Sequence, residues 1–166
     1  MFSIDATDLH WMDGVPAKED RCLHGHATAR IGTETFKYDA TVSATALYLL
    51  KSLKKDHKIY ESNQMLPCCG FFMIANEDLS SVDICGCPNG IDWSVLHEGD
   101  TVVLVTAAGN TVRIPWEDYR ATVFAFADKI EAFYKKSEPK AIPHDAFEED
   151  GYQAFWNEWR AIRYGI

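Results

Sequence analysis

The chain has 166 residues, 47% of them apolar and 25% charged, with 16 basic against 25 acidic side chains and a net charge of −9. A chain of this length and balance can bury a core without metal or disulfide staples, which excludes intrinsic disorder as its default state. The acidic excess excludes nucleic acid and an anionic membrane surface as main partners, because both demand a basic footprint. No apolar run approaches the roughly 20 residues that span a bilayer. The opening stretch, MFSIDATDLHWMDG, holds three acids and no base, so it is not expected to be a secretory signal. An odd count of five cysteines is then expected to be reduced thiols in a cytoplasmic protein.

In chain order, residues 1–21 are acidic and irregular, broken by Gly14 and Pro16. Strands are expected at 27–31 and 34–42, joined by the natural hairpin turn Gly32-Thr33. In the second of these, Phe36, Tyr38, Ala40 and Val42 alternate with polar residues, as a half-buried strand requires. Ser43 or Thr45 can cap a helix carrying Leu47, Leu50 and Leu53 on one face and ending at Lys54-Lys55. Residues 57–68 read as a loop, followed by short apolar strands at 71–74 and 82–85. Cys87-Pro88-Asn89-Gly90 is a turn. A meander of strands at 91–97, 101–106 and 111–114 follows, with turns at Glu98-Gly99-Asp100 and Gly109-Asn110.

Pro115 stands where a helix should begin. Tyr119, Val123, Phe126, Ile130 and Phe133 step by four and three, painting an apolar stripe along a helix over about 116–136. Residues 137–150 read as a loop, and a last helix over about 151–163 presents Tyr152, Phe155, Trp156, Trp159 and Ile162. The expected fold is one α+β domain spanning 1–166, with an antiparallel sheet of about seven short strands and three helices.

No nucleotide-binding, zinc-protease, serine-hydrolase or calcium-loop motif is present, so no catalytic residue is assigned. Cysteine chemistry is the most specific signal. If Ile74 faces Val82 in a hairpin, facing positions add to 156. Phe72, Ile74, Val82 and Ile84 then share the core face. Cys69 would oppose Cys87, with Cys85 beside them and Cys68 close by. Such a set could hold zinc, although a CC pair with a CxC pair wraps an ion less well than CxxC pairs do. Small apolar thiols filling tight space beside glycines is the simpler reading, and the thiols are expected to be close, reduced and metal-free. In Cys22-Leu23-His24-Gly25-His26, an extended chain points Cys22, His24 and His26 the same way. His24 and His26 are read as ordinary hydrogen-bonded histidines, with a zinc or thiol-dependent site shared with Cys69, Cys85 and Cys87 as the alternative.

Asp145, Glu148, Glu149 and Asp150 precede the last helix, where carboxylates suit the positive end of its dipole. They are also the candidate docking surface for a basic protein partner.

Three stretches, CLHGHATARIGTETFKYDATVSATALYLLKSL, CPNGIDWSVLHEGD and GYQAFWNEW, together resemble a group of short uncharacterised bacterial proteins. The resemblance covers roughly residues 20–163. It implies a compact domain of bacterial type and carries no activity, cofactor or catalytic residue. The composition and the missing motifs together lead to a non-catalytic binding protein, for example an acidic immunity or inhibitor protein. The alternative is a zinc-binding or thiol-dependent protein.

Overall fold

Alternating side chains and glycine turns build the first layer of the fold. In the computed structural model, which describes residues 1–61 and 63–166, β1 (Phe2–His10) pairs antiparallel with β2 (His24–Ile31). β2 pairs in turn with β3 (Glu34–Thr41), and Gly32 makes their turn at a φ of 61°. The segment 1–21 is therefore not irregular throughout. Phe2, Ile4 and Ala6 alternate with Ser3, Asp5 and Thr7, and Phe2 and Ala6 are buried. The acids lie on the solvent side of a real strand. Its pairing register shifts between Thr7 and His10, where Asp8 takes a φ of 52°, as a bulge does.

α1 (Val42–Ser52) leaves β3 directly, with Thr41 as N-cap and no side-chain cap bond. Ser43 does not cap the helix. It sits inside it, and its Oγ accepts a hydrogen bond from the Leu23 backbone N–H at 3.0 Å. Leu47, Leu49 and Leu50 are all fully buried, so the helix is enclosed by its neighbours and not merely striped.

Residue 62, inside the loop expected at 57–68, lies outside the described residues. The same span holds β4 (Leu66–Pro67), which pairs with β7 (Gly90–Ile91), while β5 (Phe72–Ala75) pairs with β6 (Val82–Cys85). Facing positions add to 157 in both pairs. The two ladders are therefore one hairpin, interrupted where residues 68–71 meet 86–89. The expected value of 156 was one residue out, and Phe72 faces Cys85, not Ile84. Met73 supplies the buried side chain opposite Ile84, and Phe72 and Ile74 are turned outward. A one-residue slip exchanges the two faces of a strand.

The second meander follows expectation: β8 (Trp93–Glu98), β9 (Thr101–Thr106) and β10 (Thr111–Pro115) form a sheet with β9 central. Trp93 is fully buried, its ring 6.3 Å from those of both Phe2 and Phe36, and it joins the two meanders. α2 (Trp116–Lys136) buries Tyr119, Val123, Phe126 and Ile130, and the Tyr119 hydroxyl meets Ser52 Oγ at 2.7 Å. Burial pushes the Tyr119 hydroxyl well above the usual tyrosine range.

α3 (Ala146–Tyr164) starts earlier than expected, inside the span read as a loop at 137–150. Its N-cap is Asp145, whose Oδ1 accepts from the N–H of Phe147 at 2.8 Å and of Glu148 at 3.3 Å. α3 lies on β5 through Gly151, where a Cβ would sit 2.3 Å from the Met73 carbonyl oxygen. Phe155 and Trp159 of α3 are fully buried. The fold is α+β, and the described residues form three helices and ten short strands arranged in four antiparallel sheets instead of one. Among the described residues, no helix is long and apolar enough to cross a membrane.

Candidate functional site

The interrupted middle of the β4–β7 hairpin gathers the cysteines. A bend at Cys68 breaks the strand there. Cys68 and Cys87 form a disulfide with their Cα atoms 6.9 Å apart, which corrects the expectation that all five thiols are reduced. Cys22, Cys69 and Cys85 are free. Cys69 Sγ accepts a hydrogen bond from the Cys87 backbone N–H at 2.9 Å, so Cys69 and Cys87 are close although the register differs from expectation. The sulfurs of Cys68, Cys69 and Cys87 all lie within 4.8 Å of one another. Cys85 is exposed on the outer face opposite Phe72.

The histidines do not join this cluster. Cys22 lies in a bend before β2 begins, so it leaves the alternation that would align it with His24 and His26. Its buried Sγ–H points to the Gly70 carbonyl at 3.5 Å, and burial pushes the thiol up to about 12. His24 and His26 project from one side of β2 into a shallow cleft with His10 and Asp39. There His26 Nδ1 meets Asp39 Oδ1 at 2.8 Å, and His24 Nε2 lies 3.6 Å from Asp20 Oδ2. Among the described residues, Cys68, Cys69 and Cys87 are the one group of three or more metal-ligating side chains close enough to share an ion.

A groove of about 570 Å³ opens between the loop after β1, the start of β5 and the first turn of α3. Met12, Val15, Phe71, Phe72 and Phe147 line it and are exposed, Phe71 at 72% and Phe72 at 48%. The rings of Phe72 and Phe147 are 5.3 Å apart. Buried Met73 forms part of the floor. Around these stand Glu19, Asp20, Asp145 and Glu148, against one cation, Arg21. Arg21 Nη1 already donates to Glu148 Oε2 at 3.2 Å. Burial alone would raise the Asp20 carboxyl, but His24 and the backbone N–H groups of Met12 and Cys22 outweigh it and hold it below the usual range.

Of the four carboxylates expected to meet a partner, Asp145 and Glu148 line this groove. Glu149 borders a different cleft with Lys140, Trp156 and Arg160, and Asp150 is simply exposed. The apolar half of the groove was missed because Phe72 was assigned to the core. A usable signal was present: Met12, Val15 and Phe147 are large apolar residues outside any periodic stripe. Comparison with protein-family models, with curated proteins and with solved structures finds no match.

Proposed function

We propose that the protein is a non-catalytic binding module, acting as an acidic immunity or inhibitor protein does, and that the groove at Phe71, Phe72 and Phe147 receives a basic, apolar-bearing segment of a partner protein. One observation carries this reading: five exposed large apolar side chains share a groove with four carboxylates and a single guanidinium. Exposed apolar clusters with a polar rim mark interaction surfaces. The acidic rim and the net charge of −9 favour a cationic partner by steering and by excluding acidic competitors. We place the protein in the bacterial cytoplasm. In a reducing compartment a disulfide persists only as a transient or sensing bond, which makes the Cys68–Cys87 pair a second functional feature and not a staple.

The test uses a fluorescein-labelled peptide alternating Lys and Leu, read by fluorescence anisotropy, with the Glu/Leu peptide as its counterpart. The Lys/Leu peptide should bind and weaken as salt rises. The doubly substituted protein F71S/F72S should lose at least about tenfold in affinity, as loss of a central aromatic anchor does. Both residues are exposed, so the fold should survive. Equal binding of the acidic peptide, or unchanged affinity in F71S/F72S, would overturn the reading.

A further inference from the structure

We infer that Cys68, Cys69 and Cys87 form a thiol–disulfide exchange site, in which Cys69 displaces Cys68 from Cys87 and the chain interconverts between two isomeric disulfides. Three features place the free thiol to react. Its sulfur lies within 4.8 Å of both bonded sulfurs. The Cys87 backbone N–H donates to it at 2.9 Å, so it is held beside the residue it would attack. Gly86 makes this approach available, because a Cβ there would lie 2.6 Å from the Cys69 carbonyl oxygen and 3.3 Å from Cys69 Sγ.

The exchange needs no oxidant or reductant. Cys69 gives its proton to water and attacks Cys87 Sγ as thiolate. The Cys69–Cys87 bond forms as the Cys68–Cys87 bond breaks, and Cys68 leaves as thiolate and takes a proton from water. Attack on Cys68 instead would bond adjacent residues, whose Cα atoms stand about 3.8 Å apart, below the roughly 4.4–6.8 Å that a disulfide usually spans. Cys87 is therefore the target. Cys69 is partly exposed while Cys22 is buried, with its thiol pushed up to about 12. Cys22 is thereby excluded as the attacking group, since the thiolate is the nucleophile.

The site is tested on never-reduced protein treated under native conditions with excess iodoacetamide, with the labelled position read by fragmentation mass spectrometry. Direct reaction labels Cys69, and exchange followed by trapping labels Cys68. We expect label on Cys68 in at least about a tenth of the chains labelled at Cys68 or Cys69, as two isomers within about tenfold of one another require. In Cys69→Ser that label should disappear. Cys68→Ser, oxidised in a glutathione buffer, should form the Cys69–Cys87 bond and lose both thiols. Label on Cys69 with none on Cys68 in the native protein, or two free thiols at Cys69 and Cys87 in oxidised Cys68→Ser, would overturn the inference. Acid quenching followed by labelling in denaturant reads the same isomer ratio for any variant that folds poorly.

Discussion

Gly151→Ala sets two well-known effects against each other at one atom. In an exposed helix the substitution stabilises by about 1 kcal/mol, because alanine is the better helix former. At Gly151 the new Cβ would stand 2.3 Å from the Met73 carbonyl oxygen, 2.9 Å from Met73 Cβ and 3.0 Å from Met73 C. Two of these are backbone atoms of β5, which is paired to β6, so they cannot swing aside as the end of a long side chain can. α3 must lift from the strand; overpacking costs about 1–3 kcal/mol in general, and contact with backbone that cannot yield puts this case in the upper part of that range, about 2–3 kcal/mol. After the propensity gain, the expected net loss is about 1–2 kcal/mol. Urea unfolding followed by tryptophan fluorescence, to which buried Trp93 and Trp159 contribute, reads it directly. The midpoint should fall by roughly 0.5–1 M with an unchanged slope, given the usual slopes of small domains. Gln153→Ala on the exposed side of α3 should shift stability by no more than about 0.5 kcal/mol. A midpoint for Gly151→Ala equal to or above that of the unsubstituted protein would refute close packing of α3 on β5.

Lys140 and Asp20 supply two further predictions, both about protons. Lys140 Nζ lies 3.0 Å from the centre of the Trp11 ring and donates to the Ala17 carbonyl at 2.6 Å, and burial pulls its ammonium down to about 8. NMR titration of the lysine Cε resonances should show one lysine losing its proton near 8, and Trp11→Ala should move it back toward 10.5; titration of Lys140 with the other lysines would sink this. Asp20 is held below its ordinary 3.8. A carboxyl depressed on folding adds stability above its unfolded value and loses it as pH falls through the folded one. The thermal midpoint of Asp20→Asn should therefore lie below that of the unsubstituted protein near neutrality, with the gap closing below about pH 4. A gap that is constant with pH would contradict the linkage.

The β2–β3 hairpin, the second meander and α2 are legible because each element states its period and its ends together. Phe36, Tyr38 and Ala40 alternate up to the start of α1, Gly99 and Gly109 mark tight turns at φ of 64° and 84°, and the stripe from Tyr119 to Ile130 runs between Pro115 and Lys135-Lys136. Where the ends were hidden, the reading failed. Asp5 and Asp8 made 1–21 look like an acidic tail, although Phe2, Ile4 and Ala6 keep the period of a strand. At α3, Pro139 and Pro143 predict a loop that extends through Asp145-Ala146-Phe147-Glu148-Glu149. Aspartate followed by glutamates at the third and fourth positions is itself an N-terminal signature, and Asp145 does cap the helix.

The register of the β5–β6 hairpin shows why the site resisted a sequence reading more than the fold did. Phe71-Phe72-Met73-Ile74 is apolar at every position, so alternation cannot say which face is inside, and pairing Phe72 and Ile74 with Val82 and Ile84 makes as apolar a face as pairing Met73 with them. The inward position is set against an element outside the hairpin: α3 brings Gly151 onto Met73. Once Met73 is inward, Phe72 must be outward and meets Phe147 at the groove. The same one-residue shift extends to β4 and β7. It sets Cys68 level with Asn89, whose carbonyl accepts the Cys68 N–H at 3.2 Å, and carries the bend that delivers Cys68 to Cys87. The groove and the cysteine cluster thus share one hairpin register, on which a glycine of α3 docks at β5. That contact joins residues 78 positions apart in the chain, a separation that local periodicity does not report.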